Sequence, residues 1–427
     1  MVWLIPILTF LVSLIGFTIL GVPIGFAIGL TAIVLMFFIG MPEPMILARR
    51  LVTGIDIYTL LAIPFFMLAG EIMNKAGLVH DILKFANAMV GRFKGGLSYV
   101  NVVGSMLFAG ISGSAVADTA ALGSLEIPMM EKDGYDKPFA SAITAASAII
   151  GPIIPPSIPM IILGSIAQIS IAKLFLAGAI PGLLIGLSLL GYSYFISKRR
   201  NYPVSEGVNI KEFFQVFKKT IWALILPLII LGGIIAGIFT ATEAGAIAVI
   251  YAVIISLVIY KVKLKDYPEI LKGAALNTGV VMLVCGTAMV LTWYLAVAQV
   301  PQFLTAFLMS ITRNKWFFLF VLNILLFFVG MVIDLTPALF LLVPILMPIS
   351  NAYGINPIHF GVIIVTNLCI GLITPPVGTV LYVTTSISKI KLETLVTELI
   401  PMYVVLFIVL MLITYVPMFV LWLPSLI

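Results

Sequence analysis

Four short stretches set oxygen-rich chemistry inside otherwise apolar sequence: AGISGSAVADT (109–119), IIGPIIPPS (149–157), GMVIDLTPA (330–338) and IGLITPPVGT (370–379). Each tandem proline, Pro155–Pro156 and Pro375–Pro376, removes backbone donors and clashes with the carbonyl four residues back, so each ends or kinks a helix. A helix broken at bilayer depth leaves polar backbone groups without partners, at several kcal/mol each, unless something binds them. Half-helix N-termini offer free N–H groups and partial positive charge, which suit a carboxylate. Unwound carbonyls and nearby hydroxyls are hard oxygen ligands, which suit Na⁺. No Lys or Arg occurs in 103–131, 138–172, 316–350 or 352–388. An anion held there has its charge met by helix ends, hydroxyls and co-bound cations, so filling the cation sites raises anion affinity and the reverse. The reading is two cation sites related by a pseudo-twofold, with an anion site between them.

The elements that must position these groups are membrane helices. The 427 residues are 62% hydrophobic and 9% charged, far outside the soluble range. Apolar runs of spanning length, on the rule of about 20 residues per crossing, recur along the chain. The opening run MVWLIPILTFLVSLIGFTILGVP has no basic flank or small-residue cleavage site and reads as a retained helix. The net charge of +6 sits in loops, where it orients the chain in a membrane and does not point to nucleic acid. Cys285 and Cys369 lie in apolar segments at no metal or disulfide spacing.

The chain repeats itself. At an offset of 220, Gly110, Pro128, Gly134, Gly151, Pro155, Pro156 and Pro181 fall on Gly330, Pro348, Gly354, Gly371, Pro375, Pro376 and Pro401. Composition alone gives roughly 0.7 such pairs over the same 72 positions. The predicted fold is an all-α polytopic membrane protein of two inverted-topology repeats, 1–197 and 221–427, joined by a cytoplasmic linker at 198–220. Each repeat carries a re-entrant hairpin (103–130 and 317–350) and a proline-broken helix (138–168 and 358–387). The first hairpin is expected to be irregular, because Gly, Ser, Asp and Thr stand where a lipid-facing helix carries Leu and Val. The other predicted spans are 4–20, 23–40, 58–75 and 173–196, then 221–238, 243–260, 276–298 and 394–423. A hairpin that enters and leaves on one side gives five crossings per half, and an odd number inverts the second half. With the linker in the cytoplasm, 18 of 23 Lys/Arg fall on that side, leaving Arg49, Arg50, Lys173, Arg313 and Lys315 outside with both termini.

Plainer roles compete with these. The prolines also serve as packing kinks, and Ser112, Ser114, Thr336 and Thr374 also suit bonds to a carbonyl or neighbouring helix. Asp118 and Asp334 are functional candidates if they lie at membrane depth, and unremarkable if they sit in water at a hairpin mouth. Glu243, at a span start, is expected at the interface. His80 and His359 flank spans and are expected in solvent or at the interface. Without a convergent His/Asp/Glu or Ser/Lys set, an intramembrane enzyme is the distant alternative. A stand-alone carboxylate symporter is the nearer one.

GISGSAVADTAALG with GPIIPPSIPMIILG, and then NPIHFGVIIVTNLCIGLITPPVGTVLYV (356–383), resemble the large membrane subunit of the tripartite ATP-independent periplasmic (TRAP) transporters over nearly the whole chain. The resemblance implies Na⁺-driven uptake of an organic acid, such as sialic acid or a C4-dicarboxylate, in the bacterial inner membrane. It also implies elevator-like motion of hairpins and broken helices (the transport domain) against a scaffold of the remaining spans. Two partners are implied: a separate small membrane subunit of about four helices and a periplasmic substrate-binding protein. Carried onto this sequence, one Na⁺ lies near Gly110, Ser112, Ser114 and Gly151, the other near Asp334, Thr336, Gly371 and Thr374. The carboxylate lies near Ser114, Pro156, Thr336 and Thr379. Asp334 aligns with Ser114 across the repeat, and an ionisable group there leaves H⁺ coupling open.

Overall fold

A computed structural model describes residues 4–41, 43–204 and 209–427. The first half contains α1 (Leu4–Ile19), α2 (Ile24–Phe38), α3 (Pro44–Ile55), α4 (Ala62–Lys75) and α5 (Leu78–Val90), then α6 (Gly96–Ser112), α7 (Ala115–Lys132), α8 (Lys137–Ala148), α9 (Ile158–Ala167) and α10 (Ile171–Arg199). The second half contains α11 (Ile210–Ile235), α12 (Ala241–Val258), α13 (Tyr267–Val297), α14 (Val300–Ile311) and α15 (Lys315–Val332), then α16 (Leu335–Ala352), α17 (Pro357–Gly371), α18 (Thr379–Ser388) and α19 (Leu392–Tyr415), with a last short turn α20 (Met418–Leu421). Among the described residues, seven helices are long and apolar enough to cross a membrane, or eight if α3 and the segment Tyr58–Lys75, bent by 57°, form one span. Large apolar side chains such as Ile19, Leu20, Phe195, Leu228 and Ile408 face outward, as lipid solvation allows. This is a multi-pass membrane protein.

The offset of 220 reappears in the helix ends. It carries α7 (115–132) onto α16 (335–352) and the last residue of α6 onto the last residue of α15. The halves also exchange partners symmetrically. Helix α9 packs on α16 while its counterpart α18 packs on α7, and α8 meets α19 while α10 meets α17. Away from these, α4 lies on α12 and α2 on α13. The repeats are therefore interlocked.

Several expected boundaries are corrected. The first hairpin is not irregular. Its small residues let two regular helices pack closely, and only Gly113 and Ser114 turn the chain: Gly113 at φ +61° closes α6 and Ser114 caps α7. Much of the expected linker is helix, because Asn209 and Glu212 form a capping box that starts α11. Helices α3, α5 and α14 (12, 13 and 12 residues) fill stretches read as connections. His359 is buried, not interfacial, with its ring Nε2 2.8 Å from Ile413 O on α19. His80 is exposed, as expected, and Glu243 is exposed in a capping box with Thr240.

Each hairpin's ends meet. Leu97 N, at the start of α6, donates to Tyr135 Oη just beyond α7, at 3.2 Å. Tyr353 Oη, beyond α16, donates to Thr312 O, before α15, at 2.8 Å, and its ring stacks on Phe318. Charged contacts link the first of these ends to the linker. Arg200 pairs with Asp136 at 3.2 Å and Glu398 at 2.7 Å, and Tyr202 Oη donates to Asp136 at 2.8 Å. Burial works against the Arg200 charge, but Tyr202 and Glu398 outweigh it and hold the guanidinium above its ordinary pKa. Lys75 and Glu269 pair at 2.8 Å. The Arg200–Asp136 and Lys75–Glu269 pairs join segments whose charge bias assigned them to the same side.

Candidate functional site

Both prolyl breaks are real interruptions. Helix α8 stops at Ala148 and α9 starts only at Ile158; α17 stops at Gly371 and α18 starts at Thr379. Ser157 caps α9, accepting from Met160 N at 3.2 Å. Gly378, at φ +52°, turns the chain into α18. Each break is held against its own hairpin tip. In the first half the Pro156 carbonyl faces Gly113, where a Cβ would lie 3.0 Å from it. In the second, Val377 N donates to Met331 O at 3.0 Å and Thr379 Oγ1 donates to Asp334 Oδ1 at 3.0 Å.

Buried polar staples fix this register. Ser147 Oγ donates to Asn101 Oδ1 at 2.8 Å, Asn101 Nδ2 donates to Thr144 Oγ1 at 2.7 Å, and Ser105 Oγ donates to Ser147 at 2.9 Å. On the other side Asn367 Nδ2 donates to Asn323 Oδ1 at 2.7 Å, and Asn323 Nδ2 to Thr414 Oγ1 at 3.2 Å. Side-chain hydrogen bonds of this kind are worth about 1 kcal/mol each inside a membrane protein. They tie α6 to α8 and α15 to α17 below the tips.

Asp118 is 1% exposed, enclosed by protein and not in water at a hairpin mouth. Ser112 Oγ donates to its Oδ1, while Oδ2 has no hydrogen-bond partner among the described residues. That oxygen lies against Gly151, where a Cβ would collide with the carboxylate. A buried carboxylate oxygen left unsatisfied costs about 1–3 kcal/mol or more, and a bound cation would remove that penalty. The donor set fits Na⁺: a carboxylate, hydroxyls and the carbonyls of an unwound segment. Gly110 packs against Pro227 and faces the Pro155 carbonyl.

In the second half Gly371 lies so close to Gly330 that a Cβ on Gly371 would collide with the Gly330 backbone, while one on Gly330 would crowd Gly371 and Leu368. Thr374 Oγ1 donates to Ile370 O at 2.8 Å, so its hydroxyl proton is committed to its own turn while its oxygen still has lone pairs. No cluster of three or more His, Cys, Asp or Glu suited to a metal occurs among the described residues.

A central cavity of about 70 Å³ joins the two halves, lined by Ser114, Pro152 and Ile158 from the first and Asp334, Thr336 and Leu372 from the second, among others. Of the four predicted carboxylate contacts, Ser114 and Thr336 line it. Pro156 faces Gly113, and Thr379 is bonded to Asp334 behind the lining. Sequence reasoning missed Ser157, although a Ser directly after a tandem proline and before an apolar run is a legible cap signal. It also missed Asn101 and Asn367, whose partners lie more than 40 residues away.

The fold and site define a class: a helical membrane protein in which two helical hairpins and two interrupted helices, one of each from either half, converge on a central cavity. The comparison with known sequences is specific. Residues 11–419 match the family described as "Tripartite ATP-independent periplasmic transporter, DctM component", and the chain belongs to that family. It is 42% identical to the sialic acid TRAP transporter large permease protein SiaM of Vibrio cholerae, over 96% of each chain. It is also 42% identical to the 2,3-diketo-L-gulonate TRAP transporter large permease protein YiaN of Escherichia coli, over 96% of this chain and 97% of that one. Among solved structures, the YdaH transporter of Alcanivorax borkumensis shares the fold, with a TM-score of 0.64 over 86% of both chains at 14% identity. The protein is thus a TRAP large permease component, a transporter subunit and not an enzyme.

Proposed function

We propose that this permease imports an organic acid into the cell across the bacterial inner membrane, driven by Na⁺ and supplied by a periplasmic binding protein. The observation that carries the proposal is the convergence of both tips and both breaks on one cavity free of Lys and Arg, beside a partnerless Asp118 oxygen. One Na⁺ binds among Ser112, Asp118, Gly151 and the 110–114 carbonyls, the other among Asp334, Thr336, Gly371 and Thr374. The acid's carboxylate lies between Ser114 and Thr336. Each cation supplies charge that the anion lacks elsewhere, which couples their binding.

A cavity of 70 Å³ is room for about two waters at ~30 Å³ each, not for a whole sugar acid. Binding therefore requires hairpins and breaks to part, and transport moves them as a body against the scaffold. Helices α10 and α19, expected in that scaffold, pack on α6, α8 and α17 and are assigned to the moving body, leaving α1–α4 and α11–α13 fixed. The pairing of charge-biased segments supports an inverted topology with both termini in the periplasm. A small membrane subunit of about four helices and the periplasmic protein complete the assembly. The family's tripartite name and the relatives' printed substrates, sialic acid and 2,3-diketo-L-gulonate, favour a hydroxylated carboxylate.

Proteoliposome uptake tests this, with Na⁺ and pH gradients imposed separately and the binding protein added or omitted. The expected result is uptake that requires inward Na⁺ and the binding protein. Uptake that follows a pH gradient and ignores Na⁺ would transfer coupling to a proton on Asp334. Uptake without the binding protein would point to a stand-alone symporter.

A further inference from the structure

A second, larger cavity of about 500 Å³ lies at the far end of α9 from the central one. Three segments that charge bias places on the periplasmic side surround it: 57–59 before α4, 164–172 around the start of α10, and 239–242 at the start of α12. The ten residues of α9 separate the two cavities by about 15 Å. We propose that this cavity is a receiving site for the transported hydroxy-carboxylate, occupied after release from the binding protein and before the central site opens. The inference rests on the importer reading above.

Three observations support it. The volume falls in the range of about 300–1,000 Å³ typical of small-molecule sites. Its polar lining consists of Tyr58 together with Thr59, Ser165, Gln168, Ser170, Thr240 and Thr242, with no ionisable carboxylate or amine among the lining residues. Hydroxyls and an amide, interleaved with Ile57, Ile169 and Phe239, match the hydroxyl edges and apolar face of a sugar acid. The pseudo-symmetry also shows that the fold does not require four of these seven polar groups. At the offset of 220 the counterparts of Thr240, Thr242, Ser170 and Thr59 are Leu20, Val22, Ile390 and Gly279, while those of Tyr58, Ser165 and Gln168 are Thr278, Thr385 and Ser388. The first four hydroxyls occur only on the periplasmic copy, the side from which substrate arrives.

Gln168 ends α9 at the wall in the left-handed conformation common at helix C-termini (φ +56°), as Lys389 ends α18. Its Nε2 donates to Ser165 O at 2.9 Å, and Ser165 Oγ lies 2.7 Å from Thr59 Oγ1 across the junction between α9 and the segment before α4. The carboxylate is oriented toward the start of α10, whose first turn holds Lys173 and no acid, and away from α12, whose first turn already carries Glu243.

The test uses the complete reconstituted transporter with its binding protein, with N-acetylneuraminate and L-malate as probes, comparing Gln168→Glu and Ala172→Trp with the parent. Gln168→Glu keeps the shape but adds a negative charge, which at ~6 Å in a partly wet site weakens an anion roughly tenfold. The expected result is a KM for the acid-loaded binding protein raised about tenfold with kcat preserved in Gln168→Glu, and uptake of the larger probe lost first in Ala172→Trp. Unchanged KM in both variants would overturn the receiving site and reduce the cavity to a water-filled crevice. Equilibrium binding of radiolabelled probe to the purified permease provides a second readout. If the parent binds acid but shows no Na⁺-driven uptake, the importer reading fails while Gln168→Glu still decides the site. Equal binding by parent and variant would again overturn it.

Discussion

Replacing Gly151 with Ala places one methyl group where the Asp118 carboxylate lies. Two effects follow. Overpacking a filled interior costs about 1–3 kcal/mol of stability. Displacing the carboxylate removes a charged ligand from the first cation site, and a hydrogen bond or contact to a charged group is worth about 1.5–3 kcal/mol. The second figure corresponds to a rise of roughly 10- to 150-fold in the Na⁺ concentration for half-maximal uptake. The assay is initial-rate acid uptake in proteoliposomes as external Na⁺ is varied, with thermal unfolding followed in parallel to separate stability from affinity. Gly191→Ala is the control, since a Cβ there meets nothing within 4 Å. Gly151→Ala is expected to shift the Na⁺ curve and recover much of its rate at saturating Na⁺. An unshifted curve with a normally folded protein would refute the role of Asp118 and Gly151 as a cation site.

Substituting both Pro375 and Pro376 with Leu is expected to let α17 run on toward α18 and abolish uptake while the protein still inserts; unchanged uptake would make the prolines mere packing kinks. Thr379→Val removes the 3.0 Å bond to Asp334, which should weaken Na⁺ dependence at the second site by roughly tenfold, on the ~1.5 kcal/mol floor for a bond to a charged group; the Na⁺ titration checks it. Thr59→Cys with Ser165→Cys sets two thiols where the hydroxyl oxygens stand 2.7 Å apart across the junction between moving and fixed elements. Oxidation should stop uptake and reduction restore it, whereas full activity of the cross-linked protein would rule out relative motion at this contact.

Much of the plan was legible because its signals are local. The paired prolines mark the breaks, and the 220-residue offset that links them also predicts where α7 and α16 end. The tip of the first hairpin was placed correctly but misjudged in character. Gly, Ser and Ala read alike whether they loosen a backbone or allow two helices to approach, and only the packing of α6 on α7 decides. Helices α3, α5 and α14 escaped notice because 12 or 13 residues fall below spanning length and carry charges or polar residues that resemble connections.

The burial of Asp118 and that of His359 share another cause. Each depends on a partner supplied from elsewhere in the chain, Gly151 for the first and Ile413 for the second. No window of sequence around either residue contains that information. The outer cavity was invisible for the same reason, since its walls come from segments more than 100 residues apart in places.

The most direct measurement is a high-resolution density map of the assembled transporter in Na⁺, with and without N-acetylneuraminate. The account predicts two cation peaks, one between Asp118 and Gly151 and one between Asp334 and Gly371, with a carboxylate between Ser114 and Thr336 when acid is present. Empty density at both breaks under saturating Na⁺, with acid bound elsewhere, would contradict it.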